Sequence, residues 1–196
     1  MKVDWIRHGQ TVQNVAQTYY GTLESELTPK GRTQIAQITQ YVNSDLPYYL
    51  SPTKRTKETA YLLFGEKQGK EDSRLLERRM GIFEGLTYDE IGERYPQEQK
   101  AWAQDWQAYC IPKGESAKQQ YERVSHFVKE LEKKGEDCVV VAHAGTIRMA
   151  LVYLLGGDLD HFWRFRIDTG TLVRTRYEGA YWHMNLSQGL DEGENI

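Results

Sequence analysis

Asp137-Cys138-Val139-Val140-Val141-Ala142, followed at once by His143-Ala144-Gly145, is the stretch that decides the fold. Its core is uninterrupted, β-branched and apolar, which suits a strand buried on both faces rather than one with a wet side. A helix is expected after it, over about Thr146 to Leu155. A second strand reads from Lys2 to Arg7, and a third lies in Pro47-Tyr48-Tyr49-Leu50, closed by Ser51-Pro52. Helices fall between them. Thr28 suits an N-cap and Pro29 the first helical position, with Ile35, Ile38 and Val42 on one face of a helix running into the forties. Lys54 to Phe64 reads as another helix, and Ser116 to Lys134 as a long amphipathic one with Tyr121, Val124, Phe127, Val128 and Leu131 apolar.

Alternation of strand and helix implies an α/β fold of three layers, α/β/α, with a mostly parallel central sheet. The chain of 196 residues suits a single domain, 1–196. From Thr87 to Tyr109 it turns polar and aromatic, with Trp102, Trp106 and Tyr109 at helical spacing. The segment 87–116 therefore reads as a helical insertion, or lid, over the sheet. Phe165 to Ile167, Thr171 to Tyr177 and Tyr181 to Asn185 are candidate closing strands or hairpins, and 188–196 is an acidic, weakly patterned tail expected to fray.

Composition narrows the function. With 39% hydrophobic and 27% charged residues, the chain is of the globular class. A net charge of −3 argues against a general binder of nucleic acid or membrane surfaces. Cys110 and Cys138 form no Cys-x-x-Cys pair, so neither a metal site nor a redox motif is expected. No apolar run approaches the ~20 residues of a membrane span. The amino terminus enters a strand directly, so the cytoplasm is the expected compartment. A homodimer is possible.

In open α/β sheets, ligands bind beyond the carboxyl ends of the strands. Arg7, His8 and, one turn on, Asn14 follow the first strand. Ser51, Pro52 and Arg55 follow the second, and His143 with Ala144 and Gly145 follows the third. Two histidines and two arginines thus converge from distant parts of the chain. Imidazole is nucleophilic at neutral pH, guanidinium holds phosphoryl oxygens through paired N–H donors, and Gly9 lets backbone approach a ligand closely.

Arg7-His8-Gly9-Gln10-Thr11, Ser51-Pro52 with Arg55, Leu76-Glu77 with Gly81, and His143-Ala144-Gly145 resemble, in order, the signature blocks of the histidine phosphatase (phosphoglycerate mutase-like) superfamily. Leu27-Thr28-Pro29-Lys30-Gly31, Thr59-Ala60 and Gly114-Glu115-Ser116 extend the resemblance over nearly the whole chain. The resemblance implies that His8 becomes phosphorylated and that Arg7, Arg55 and His143 bind the phosphoryl group with help from Asn14. Two guanidiniums and an imidazolium would supply the positive charge, with no metal or other cofactor. Glu77 would protonate the leaving oxygen and then activate water. Gly21, Arg78 and Ala144 would complete the substrate-binding set. Glu77 could instead pair with Arg78 and Arg79. Arg78, Arg164 and Arg166 could contact phosphate or ribose, or make surface ion pairs. The substrate would be a small phosphate ester.

The short interval between Glu77 and His143, and Phe83-Glu84-Gly85 in place of a Trp-Glu-Gly segment, resemble the phosphatases more than the mutases. The segments around Trp102 to Gln107, Ile111 to Ser116 and Phe162 to Gly170 resemble the α-ribazole phosphatases of cobalamin nucleotide-loop assembly. A broad-specificity phosphatase and a phosphoglycerate mutase remain the other readings. A catalytically dead phosphoprotein-binding module would have lost His8, Glu77 or His143, and all three are present. Gln10, Phe83 and Ala144 depart from residues common in the superfamily, without touching the charged set. The aromatic residues of the insertion suit either packing or stacking on a planar substrate.

Overall fold

A computed structural model of the chain describes residues 1–185. The tail at 188–196 lies outside the described residues. The strands are β1 (Lys2–Arg7), β2 (Tyr48–Leu50), β3 (Lys70–Glu71), β4 (Cys138–Ala142), β5 (Leu172–Glu178) and β6 (Tyr181–Asn185). They form one sheet in the order β3-β2-β4-β1-β5-β6. The pairs β3/β2, β2/β4 and β4/β1 are parallel, while β1/β5 and β5/β6 are antiparallel.

Alternation along β1 and β4 separates two cores. Val3 and Trp5 of β1, with Cys138, Val140 and Ala142 of β4, face α6 (Ala117–Lys134) and α7 (Ala144–Leu154). Ile6, with Val139 and Val141, faces α2 (Pro29–Ile38) and α3 (Lys54–Phe64). All five residues of β4 are buried, as a strand covered by helices on both faces requires. The three layers follow from this period-two division. Local signals set the helix ends. The Thr28 hydroxyl accepts the Gly31 N–H, with Pro29 at the first position of α2. Ser116 and Gln119 form a capping box on α6, and Gly135 closes that helix at φ +67°.

The segment between β3 and α6 holds α4 (Tyr88–Arg94) and α5 (Pro96–Gln104). It packs on a third, smaller core of Met80, Phe83, Leu86, Ile91 and Ile111. The spacing of Trp102, Trp106 and Tyr109 is not that of one helix. Asp105 leaves the helical region, at φ −143°, and its carboxylate accepts the Ala108 N–H at 2.9 Å. This local turn competes with the helix and ends α5 at Gln104. Trp102 then packs on Tyr19 and Phe83, whereas Trp106 meets Phe162 and Trp163.

Two further expectations change. Residues 165–167 form no strand, because arginine side chains take carbonyls that a ladder would need: Phe165 O accepts from Arg148 and Ile167 O from Arg7. Helix α7 starts at Ala144 rather than Thr146, with His143 as its N-cap residue. Among the described residues, no helix is long and apolar enough to cross a membrane.

Candidate active site

β2, β4 and β1 are neighbouring parallel strands, so their carboxyl ends open on the same edge of the sheet. The ladder continues one residue beyond them. The His8 N–H donates to Ala142 O at 3.1 Å, and the Ser51 N–H donates to Val141 O at 3.1 Å. With Arg7 opposite Ala142 and Leu50 opposite Val141, this register brings His8, His143 and Ser51 side by side. The rings of His8 and His143 lie 5.2 Å apart, edge to face, and only 2% and 1% of these residues is exposed.

His8 Nδ1 lies 2.8 Å from Gly9 O. A carbonyl oxygen only accepts, so Nδ1 carries the proton and Nε2 keeps its lone pair. Burial, then the charges of Arg55 and Arg7, hold the His8 pKa well below the usual imidazole value. The ring is neutral and of fixed tautomer, and such a nitrogen can act as a nucleophile. Gly9 must be glycine here, because a Cβ would fall 2.5 Å from Gly31 O.

His143 differs from the expectation of an imidazolium. Arg55 Nε donates to its Nδ1 at 3.2 Å, so its Nε2 carries the proton and donates to Ser51 Oγ at 2.8 Å. Burial, then Arg55, His8 and Arg7, push its pKa well below the usual value too. In this state both nitrogens serve protein groups and the ring is neutral, because burial and four cationic or ionisable neighbours, Arg123 included, disfavour another charge.

Arg55 is fully buried. Its two terminal nitrogens donate to Leu23 O and Gly21 O, at 3.1 and 2.7 Å, and its guanidinium lies 4.7 Å from the Tyr20 ring centroid. The Gly21 to Leu23 loop is held in turn by Glu84, whose carboxylate accepts the N–H groups of Gly21, Thr22, Leu23 and Met80. Gly21 thus contributes its carbonyl to Arg55, and its N–H is already taken. Arg7 donates from Nη1 to Ile167 O at 2.6 Å, while its buried Nε has no partner among the described residues. Asn14 spends its carbonyl oxygen on the Thr11 N–H and hydroxyl, which leaves its NH2 for a ligand. Ala144 opens α7, at the helix end whose N–H groups favour anions.

Glu77 pairs with neither Arg78 nor Arg79 as side chains. Its Oε1 accepts the Arg78 N–H and Gln120 Nε2–H, and its Oε2 accepts the Gly145 N–H, all at 2.8–2.9 Å. Three donors therefore fix the carboxyl at the start of α7. Arg78 is corrected on one expected role, the surface ion pair. It is buried, and it donates to the carbonyls of Glu115, Trp106 and Tyr109. The guanidinium clamps the inserted segment rather than reaching a surface carboxylate. Burial lowers its pKa to about 10. Beside it, Arg123 pairs with buried Glu115 and also donates to the carbonyls of Arg74, Leu76 and Glu77. Arg164 and Arg166 are exposed, and Arg166 makes a surface pair with Asp168 at 3.0 Å.

Sequence reasoning missed Gln120, Tyr20 and Arg148. Gln120 sits four residues before Val124 on the apolar stripe of α6, and a polar residue on such a stripe signals a buried hydrogen bond. Arg148 is the lone charge on the otherwise apolar and small-residue helix α7. Tyr20, whose hydroxyl meets Thr11 Oγ1 at 2.7 Å, lies in a loop with no local signal.

The branch 1 model of the histidine phosphatase superfamily matches residues 5–188. The chain belongs to the histidine phosphatase superfamily. Phosphoserine phosphatase 1 of Hydrogenobacter thermophilus is 30% identical over 178 residues, covering 87% of this chain and 84% of that protein. The 6-phosphofructo-2-kinase/fructose-2,6-bisphosphatase of Gallus gallus is 34% identical over 86% of this chain, which spans only 36% of that longer protein. Among solved structures, the α-ribazole phosphatase from Shigella flexneri aligns with a TM-score of 0.86 and 25% identity, over 94% of this chain and 95% of that one. The family shown is a phosphatase family, and the fold is shared along almost the whole length.

Proposed function

We propose that this histidine phosphatase hydrolyses a phosphate monoester through a phosphohistidine at His8, and that α-ribazole 5′-phosphate, or the phosphorylated cobamide, is its substrate. The observation that carries the chemistry is the tautomer of His8. With Nδ1–H on Gly9 O, the Nε2 lone pair is available for attack at phosphorus. In the first step the Nε2–P bond forms, the P–O bond to the leaving group breaks, and protonated Glu77 gives its proton to that oxygen. In the second, water attacks phosphorus, Glu77 takes the water's proton, and the N–P bond breaks. Phosphate departs and His8 returns neutral.

Arg7, Arg55, the Asn14 amide and the start of α7 supply charge and donors around the phosphoryl oxygens. Arg7 Nε is the clearest of these, as a buried donor without a partner among the described residues. His143, itself bonded to Ser51, accepts from Arg55 and holds it in place. The aromatic group Trp106, Phe162 and Trp163 supports a leaving group that carries a planar ring. The similarity to phosphoserine phosphatase 1 supports a second reading, a phosphorylated amino acid.

His8→Ala is expected to lower kcat/KM on any of these esters by at least about a thousand-fold, and to abolish an acid-labile phosphoprotein trapped from labelled substrate. Wild-type turnover by His8→Ala would sink the mechanism. Comparing kcat/KM for α-ribazole 5′-phosphate, phosphoserine and an aryl phosphate chooses the substrate. Absence of any preference for the first would remove the α-ribazole assignment while leaving the chemistry in place.

A further inference from the structure

Arg148 stands three residues after Gly145, whose N–H holds Glu77, and so lies on the same face of α7. Its charge acts on Glu77, Asp168 and Arg7. One nitrogen, Nε, donates to Phe165 O at 2.8 Å. The guanidinium carbon lies 5.4 Å from the ring centroids of both Phe162 and Trp163. Trp163 packs on Phe162 at 4.9 Å and Trp106 at 5.5 Å, yet 63% of it stays exposed. The phosphoryl chemistry uses none of these four side chains. Water-facing tryptophan of this size, backed by two aromatic rings, is a surface prepared for contact rather than for core packing.

The placement says what kind of contact. Glu77 marks the side of the site where the leaving oxygen departs, so groups beyond Glu77 meet the leaving group and not the phosphoryl group. Arg148 acts on Glu77, and the aromatic cluster packs on Arg148. Nε serves Phe165 O and the rings pack on the guanidinium, so the terminal N–H groups are the donors that remain for a ligand.

Resting on the phosphatase reading, we propose that Arg148, Trp163 and Trp106 form a leaving-group subsite for a planar heterocycle carried on a hydroxylated linker. The Arg148 nitrogens donate to the oxygens of the linker, and the exposed face of Trp163 stacks on the ring. Selectivity therefore lies in α7 and the turn at 159–164 as much as in the inserted helices.

The test compares wild type, Trp163→Ala and Arg148→Ala on α-ribazole 5′-phosphate, whose ring sits beyond a sugar, and on phosphoserine, which has no ring. The ratio of kcat/KM between the two substrates is expected to fall about ten-fold or more in Trp163→Ala, through KM rather than kcat. Arg148→Ala should shift the ratio in the same direction. In a His8→Ala background, α-ribazole 5′-phosphate should quench tryptophan fluorescence, and Trp163→Ala should remove that quench. An unchanged ratio in Trp163→Ala overturns the subsite. So does a selective loss of phosphoserine turnover in Arg148→Ala, which would mark an acidic leaving group instead. If wild type hydrolyses an aryl phosphate through His8 but rejects α-ribazole 5′-phosphate, the subsite fails and the phosphatase reading stands. If wild type forms no phosphohistidine with any ester, both fall.

Discussion

The edge where β1, β2 and β4 end and the segment 87–116 are built by different means. At the strand ends, backbone register does the positioning: Ser51, His8 and His143 each follow directly on a strand, and the ladder bonds to Val141 O and Ala142 O fix their levels. In the inserted segment, side chains from distant positions do it. Arg78 reaches the carbonyls of Trp106, Tyr109 and Glu115, and Arg123 ties Glu115 to the run that carries Glu77. The candidate reacting groups thus rest on the interior parallel strands of the sheet. Glu77, the candidate acid, stands where the two systems meet, since its three donors come from its own chain neighbour, α6 and α7.

That junction is the sharpest place to break the comparison. A Cβ at Gly145 would fall 2.3 Å from Glu77 Oε1, so Gly145→Ala must displace the carboxyl while leaving the strand-end histidines in place. A shift near 1 Å in a positioned group costs about a hundred-fold. We expect kcat/KM to fall by about that factor for an alkyl phosphate, whose leaving oxygen needs the proton. The loss should be much smaller for an aryl phosphate with a good leaving group. An equal loss on both substrates would show that Glu77 acts in some way other than as the acid.

The inserted side should break differently, in stability before chemistry. Glu115 is buried, and it accepts from both Arg123 and the Arg79 N–H. Glu115→Gln leaves Arg123 without its counter-charge, which costs about 3 kcal/mol for such a buried pair. In a chain of this size that is a fall in Tm of about 6–12 °C. Activity at a temperature where the variant stays folded should be affected far less. A Tm within about 2 °C of wild type would mean that the insertion is held by its aromatic core alone.

The same division decides what the sequence made legible. The three-layer fold and the strand-end residues could be read because strand pattern, helix caps and the sheet-edge rule are local or generic. Cys138–Ala142 shows its two-sided burial in five consecutive residues, and Thr28-Pro29 announces α2. What could not be read depends on where side chains go after the chain has folded. Trp106 looks like a continuation of Trp102 until Asp105 turns the backbone. Arg78 looks like a surface charge until the carbonyls of the insertion surround it. His143 looks like a cation until Arg55 is seen to donate to it, an interaction across 88 positions of sequence. Arg148 gave a signal, a lone charge on an apolar helix, but its aromatic partners lie in a turn that carries no pattern.

A smaller effect separates the two regions by pH. His8 and His143 are both buried, with pKa values held well below the ordinary imidazole value, first by desolvation and then by Arg55. In the unfolded chain each titrates near 6.5. As pH falls below that value, the unfolded state binds protons that the folded state refuses, so stability drops. It is fully present above about pH 7.5 and declines toward the depressed folded values, by up to about 1.4 kcal/mol per pH unit for each histidine. Most carboxylates titrate lower, so urea unfolding between pH 7.5 and 5.5 isolates the pair. His143→Gln removes one of the two sites, and its stability should fall less steeply with decreasing pH than that of wild type. Trp163→Ala, which removes no titrating group, should keep the wild-type slope. Equal slopes for wild type and His143→Gln would mean that His143 takes up its proton in the folded protein as readily as in the unfolded one, and that burial beside Arg55 does not hold the ring neutral.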